Sequence, residues 1–337
     1  MKLNSKNVMT VVGLLFIFLF RFIPAPVGLT PLAMQMVGTF IGIMLLWNFV
    51  GIGWPSFFCI IILALYQIMT PTEIFQKGIG NSIVNFLIAF FMLSYALSQT
   101  GFTKRIAIMC ISNKLARKGP WVFTTMFLFA TMLLASLMSQ TAAALVFLPI
   151  AEQIFKEVGY TKGERYPQML VLGIGFAVGF GSANTPLGHT IVLIPMQLLS
   201  TNFGIDMNIV NYSIFGLVTG LVIFILAMLV LKFVYRPDVS KLANFDAATL
   251  RQELQPMSKQ EIISALGFVS VIVIWFLQGI LKDIFPTFGT YLSAMGNAVP
   301  VMIVIVLLSV IQIDGKPIMN FNDAAAKGVP WVATLFT

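Results

Sequence analysis

Apolar runs, each near the length of a membrane-spanning helix, alternate along the chain with short polar, basic or glycine- and proline-rich breaks. A spanning helix needs about 20 mostly apolar residues. The pattern predicts such helices near 8–24, 31–49, 54–70, 83–100, 212–231, 261–281 and 292–312, with a longer, interrupted one at 167–200. The first run follows Lys2 and Lys6 as a signal peptide would, but Pro24 and Pro26 stand where a small-residue cleavage site belongs. It reads as a retained anchor.

Two stretches break the pattern. In "LLASLMSQTAAALVFLPIAEQ", residues 133–153, three polar side chains, Ser139, Gln140 and Thr141, interrupt an apolar run. The segment from Trp121 to Phe155 is too short to cross a ~30 Å hydrocarbon core twice with a turn at the far surface. Both of its ends are basic, at Arg117, Lys118 and Lys156. A re-entrant hairpin over about 119–156 meets both constraints, with the three polar residues at its tip near mid-membrane. Non-helical backbone at that depth survives only where it lines a cavity or is buried in protein. The alternative is one straight helix whose small and polar residues serve packing.

The second break is "GIGFAVGFGSANTPLGHTIVLIP", residues 173–195. Gly173, Gly175, Gly179 and Gly181 permit close backbone approach. Then Ser182, Asn184, Thr185, Pro186, Gly188, His189 and Thr190 interrupt the run. Pro186 removes a donor and Gly188 tolerates unusual dihedrals, so a helix broken at about mid-span is predicted. Half-helix ends offer N–H groups to anions and C=O groups to cations. Two interrupted segments so close in sequence describe a transporter's substrate and ion site.

Composition and charge place these elements in a bilayer. The chain is 58% hydrophobic and 9% charged, with mean hydropathy +0.95, against roughly 25% charged residues in a soluble domain. With the N-terminus cytoplasmic and 119–156 returning to its starting side, only Arg21, Lys77 and Lys282 of the 20 Lys and Arg fall outside. The net charge of +8 is therefore topology, by the positive-inside rule, and implies no nucleic-acid partner. Cys59 and Cys110 show no disulfide or metal pattern and read as packing residues. None of the acidic residues falls at an expected midplane, whereas proton-coupled carriers usually hold a carboxylate in the pathway. Neutral carbonyls, hydroxyls and amides suit sodium ions accompanying an anion. His189, the one histidine, either donates to a substrate carboxylate or is a satisfied structural residue.

The order "NFLIAFFMLSYALSQTGFTKRIA", "SQTAAALVFLPI" and the broken "TPLGHT" helix resembles the divalent-anion:sodium symporters, the di- and tricarboxylate and sulfate carriers, from about residue 31 onward. That resemblance implies an all-α polytopic membrane protein with an inverted-repeat transporter fold, a re-entrant helical hairpin and a broken transmembrane helix. It implies sodium ligation by Ser139, Gln140 and Gly188, joined by Asn184 and Thr185 of the break. Gln140, Thr141 and His189, with Thr190, would face the substrate carboxylate. Gln140 replaces the family's asparagine, and Gly188-His189-Thr190 lacks the prolines usual after that glycine.

The expected organisation is an anchor helix at 1–30, a first repeat at 31–236, a cytoplasmic linker at 237–260 and the start of a second repeat at 261–337. Residues 314–337 parallel 70–90 as the lead into a repeat core, so the chain reads as C-terminally truncated within the second repeat. The linker stretch 236–261 reads as an amphipathic helix along the membrane, with Leu242, Phe245, Leu250 and Leu254 on one face. Residues 101–119 read as a basic interfacial helix. Gly38 with Gly42, and Gly216 with Gly220, have the spacing of close helix crossings, within the chain or on a dimer face. The function expected is sodium-coupled carriage of succinate, malate or citrate across the cell membrane by alternating access, in a homodimer. No cofactor beyond the coupling ions is implied. Sulfate carriage, or a fragment or half-transporter needing a partner chain, are the alternatives. A membrane enzyme would need a nucleophile and base pair or a metal cluster, and one histidine without an intramembrane carboxylate offers neither.

Overall fold

The computed structural model describes residues 5–161, 163–205, 207–245, 248–252, 254–331 and 334. It is an all-α polytopic membrane protein. Seven helices among the described residues are long and apolar enough to cross a membrane, and a two-stranded hairpin of Gln312–Ile313 with Lys316–Pro317 is the one described sheet. The chain divides into two compact units, one built on residues to Ile88 with 329–337, the other on Ala89–Gly328.

The first unit holds α1 (Ser5–Leu19), α2 (Pro31–Phe49), α3 (Gly53–Leu65), α4 (Pro71–Lys77) and the start of α5 (Ser82–Gln99). Thr30 caps α2 by accepting from the Ala33 N–H, with Pro31 at the first helical position, where its missing N–H costs nothing. Gly38 and Gly42 are spent on the α1–α2 crossing. A Cβ at Gly42 would stand 2.5 Å from the Gly13 carbonyl oxygen, and one at Gly38 2.6 Å from that of Phe16. The expected span at 54–70 is shorter than predicted. α3 stops at Leu65 after 13 residues, the backbone leaving the helix where Gln67 takes φ +54°, and the Tyr66 hydroxyl donates to the Ile17 carbonyl.

The second unit continues from α5 through α6 (Phe102–Ile111), α7 (Pro120–Leu137), α8 (Gln140–Val158), α9 (Arg165–Ala183), α10 (Leu193–Phe203), α11 (Ile209–Leu229), α12 (Ala248–Gln252), α13 (Lys259–Ile284), α14 (Pro286–Ala294) and α15 (Ala298–Val310). Its core is built on α7, α8 and α9, with Phe127, Phe147, Ile154 and Tyr166 fully buried. α7 and α8 form an antiparallel hairpin. The Phe127 and Phe147 rings meet edge to face at 5.3 Å, and the start of α7 and the end of α8 both touch one connector, through Phe123–Phe245 and Tyr160–Asp238. Arg105 of α6 forms a part-buried ion pair with Glu261 of α13, its Nη2 donating to Glu261 Oε2 at 3.0 Å and to the Gln255 carbonyl at 2.7 Å.

Two expectations are corrected here. The stretch 236–261 is no single membrane-surface helix. It makes a 3₁₀ turn at Ser240–Asn244 and a five-residue α12, and Leu242 and Leu250 are buried in the hairpin core, with Phe245 and Leu254 packed against it. Burying these side chains in a protein groove removes more apolar area from water than laying them on a surface. The span expected at 292–312 is a bent pair, α14 and α15 at 69°, broken where Gly296 takes φ +59°. Gln278 donates to the freed carbonyls of Leu292 and Gly296, and the Trp275 indole donates to that of Asn297.

The connector is strapped to the hairpin base by charge. Lys241 donates to the Gly159 carbonyl and to Glu164, both carboxylate oxygens at 2.9 Å, and lies over the Tyr160 ring. The Lys241 hydrogen bond, then those of Thr161, hold the Glu164 carboxyl down at about 2. Burial, and then the carboxylates of Asp238 and Glu164, push the Tyr160 phenol up to about 12. A depressed carboxylate stabilises above its unfolded pKa and loses that contribution as pH falls through its folded one. Amide exchange over 238–245, corrected for intrinsic rates, is therefore expected to accelerate as pH falls from about 4.5 toward 2. Glu164→Gln should reproduce the faster exchange at neutral pH; unchanged exchange in that variant would leave the strap without effect.

Candidate functional site at the hairpin tip and the broken helix

α7 ends at Leu137, and Ser139 caps α8 by accepting from the Ala142 N–H at 3.3 Å. The three polar residues therefore stand at a helix–break–helix junction, as the pattern predicts. Thr141 is exposed, and Ser139 and Gln140 are half-buried. α9 ends at Ala183, and the chain runs without regular helix through Asn184–His189 before a 3₁₀ turn at Thr190–Val192 leads into α10. The two breaks lie against each other.

Five polar side chains at the two breaks have defined partners. Gln140 Nε2 donates to Ser182 Oγ at 2.7 Å, and that hydroxyl donates to the Gly179 carbonyl at 2.9 Å. Ser136 Oγ, buried in the last turn of α7, lies 2.9 Å from the carbonyls of Met132 and Gly181. The Thr185 hydroxyl donates to the Ser136 carbonyl and accepts from the N–H groups of Leu187 and Gly188, both at 3.2 Å. The Asn184 amide, oriented so that its nitrogen faces acceptors, donates to the carbonyls of Phe180 and Gly216 at 3.0 Å and accepts from Ser136 Oγ at 3.2 Å. In apolar surroundings an unpaired carbonyl or N–H costs kcal/mol, so these bonds let both helices stop where they do.

Gly188 and Gly181 are the close-approach positions. A Cβ at Gly188 would lie 2.3 Å from the Ala135 carbonyl oxygen, and one at Gly181 2.3 Å from that of Met132. His189 is half-buried beside them, its N–H donating to the Thr185 carbonyl at 3.3 Å. The structure thus brings Ser139, Gln140, Asn184, Thr185, Gly188 and His189 to one locus, with Thr141 on its exposed rim. The side chain of Thr190 lies outside the described residues. The Asn184 and Thr185 side chains, expected as sodium ligands, are engaged by protein partners here.

Sequence reasoning missed Ser136 and read Gly216 with Gly220 as a helix-crossing pair. A lone serine bonded to its own i−4 carbonyl looks like any packing serine, and nothing local announces that its hydroxyl also serves Asn184 and Gly181. The α11 glycines face Asn184, as a Cβ at either would fall within 2.2 Å of it. α7 alone is long and apolar enough to span, so length by itself does not make the hairpin re-entrant; α8 carries Glu152, Lys156 and Glu157. A cleft of about 830 Å³ lies at the far end of α8, among Lys156, Tyr160, Gln168, Leu172 and Tyr235, away from the tip.

Residues 42–331, covering both breaks, match the citrate transporter family CitMHS. The chain belongs to that family. Membership in this transporter family, within the divalent-anion:sodium symporters that the sequence resembles, sets the chain apart from enzymes. The sodium-dependent dicarboxylate transporter SdcS of Staphylococcus saprophyticus is 25% identical over 297 residues, 84% of this chain and 56% of its own length. SdcS of Staphylococcus aureus strain USA300 is 25% identical over 244 residues, 69% of this chain and 46% of its own. The chain spans about half the length of the curated relatives it matches.

Substituting Gly188→Ala is expected to lower stability by about 1–3 kcal/mol, because the new methyl group meets carbonyl oxygens rather than flexible side chains. Thermal unfolding in detergent reads this directly; an unchanged midpoint would mean that the break does not pack on α7 as described.

Proposed function

We propose that the chain carries half of the binding site of a sodium-coupled symporter for small di- and tricarboxylates such as succinate, malate or citrate. The single observation that supports this most is the meeting of the Ser139-Gln140-Thr141 tip with the 184–189 break, two interrupted segments whose neutral oxygens and donors converge without a carboxylate. In this reading Ser139, Gln140 and main-chain groups around Gly188 hold sodium, with Asn184 and Thr185 bracing the backbone that does so. Gln140, Thr141, His189 and Thr190 face the substrate carboxylate. The first turn of α8 presents its positive dipole end to the anion, while the last carbonyls of α9 suit a cation.

The hairpin is re-entrant in this proposal, the N-terminus is cytoplasmic, and the hairpin moves against a scaffold to give alternating access. The sodium-dependent dicarboxylate transporters among the relatives support both the substrate class and the coupling ion. Sulfate is the second substrate reading, since the same donors suit any small divalent anion. Because the chain spans about half of those relatives, a half-transporter that completes its site with a further segment or partner, as in a homodimer, is the second reading of assembly.

In a complete version of the transporter, Gln140→Ala should raise the sodium concentration for half-maximal succinate uptake by about tenfold, roughly the 1.4 kcal/mol of one lost ion contact, with little change in membrane abundance. Uptake with unaltered sodium dependence would remove Gln140 from the cation site.

A further inference from the structure

Asn184 is 2% exposed and is the residue at which α9 gives way to the break. Its amide reaches three segments, donating to the Phe180 carbonyl of its own helix and to the Gly216 carbonyl of α11, and accepting from Ser136 of α7. Two donors and one acceptor are matched by two carbonyls and a hydroxyl. An aspartate of the same shape would set carboxylate oxygens against both carbonyls. The residue next to it is held as well, since the Tyr212 hydroxyl of α11 donates to the Ala183 carbonyl at 3.0 Å.

α11 is shaped to receive this side chain. A Cβ at Gly220 would stand 1.9, 2.6 and 2.8 Å from atoms of the Asn184 amide. A Cβ at Gly216 would stand 2.2, 2.7 and 2.9 Å from the oxygen, carbon and Cα of the Asn184 main chain. Gly220 thus makes room for a side chain, and Gly216 for backbone.

We propose that Asn184 is the positioning residue of the tip, seated between Gly216 and Gly220 of α11, and that its amide sets where Ser136, and through it the Ser139-Gln140 turn and the Gly188 backbone, stand. What the tip binds rests on the function proposed above; the seating of Asn184 does not.

The two glycines make the idea testable by double substitution, because contacts that share a partner are not additive. The full chain, with Cys59 and Cys110 replaced by serine and His189→Cys as the one thiol, is labelled in membranes with a permeant maleimide. N184A and G220A should each speed labelling by at least about fivefold, and N184A/G220A should be no faster than N184A alone. N184A should give no such relief to G216A, whose clash is with main chain. N184D, which keeps the shape and loses the donors, should behave as N184A does. In parallel, in a complete transporter with His189 retained, the sodium concentration for half-maximal uptake should rise in N184A at similar membrane abundance. Labelling of G220A at the parent rate, or additive effects in the double variant, would overturn the proposal. If G220A fails to accumulate, abundance decides: recovery to the N184A level in the double variant supports it, and abundance as low as in G220A overturns it. Absence of sodium-dependent uptake in a complete transporter with His189 retained would sink the transport reading, while labelling would still decide the role of Asn184.

Discussion

The second unit depends on how α7 and α9 are ended inside apolar surroundings. A helix that stops leaves four carbonyls without intrahelical donors, and a bilayer supplies no water to satisfy them. Here two such ends are set against each other so that each supplies what the other lacks. The Thr185 hydroxyl donates to the Ser136 carbonyl, the Ser182 hydroxyl to the Gly179 carbonyl, and the Ser136 hydroxyl donates to the Asn184 amide while lying 2.9 Å from the Met132 and Gly181 carbonyls. These bonds need backbones closer than side chains permit, which is why Gly181 and Gly188 sit against the carbonyls of Met132 and Ala135. One constraint, supplying partners to the two helix ends, therefore explains the hydroxyls, the amides and the glycines of the breaks together.

The same arrangement leaves a chemistry. With the inner groups paired among themselves, exposed Thr141 and half-buried Ser139, Gln140 and His189 form a rim that carries donors and acceptors without a carboxylate. The function proposed above puts its anion and its sodium ion at this rim. Ion pairs of this unit lie in other segments: Lys241 binds Glu164 at the base of the hairpin, and Arg105 of α6 binds Glu261 of α13. Keeping fixed charge away from the tip avoids the desolvation penalty that an unpaired buried ion would incur.

Much of this was legible in the sequence, because both signals are local. A run of about 20 apolar residues has few alternatives to a buried helix, and polar residues within it need partners wherever they end up. Hence the hairpin with Ser139-Gln140-Thr141 at its turn, and the break at 184–189, were readable without coordinates. The connector was not. Leu242 and Leu250 have helical spacing whether they face lipid or protein, and only the groove at the hairpin base decides which. The early stop of α3 at Leu65 comes with a left-handed Gln67 and a Tyr66 hydroxyl that reaches Ile17, 49 residues away, and the bend at Gly296 with donors from Trp275 and Gln278, none of them visible locally.

Membrane class, the positions of the two breaks and the residue types able to hold an anion with a cation were determined by the sequence itself, since they follow from hydropathy and from what each side chain can donate or accept. Tertiary structure decided which groups are left free to do so. It spent Asn184 and Thr185 on the ends of α7 and α9, brought in Ser136, and turned a Gly216–Gly220 spacing that suits any helix crossing into a seat for one amide. Spacing along a chain specifies which face a residue occupies, but hydrogen-bond partners are assigned only when separate segments meet, and in an apolar medium that assignment fixes the site.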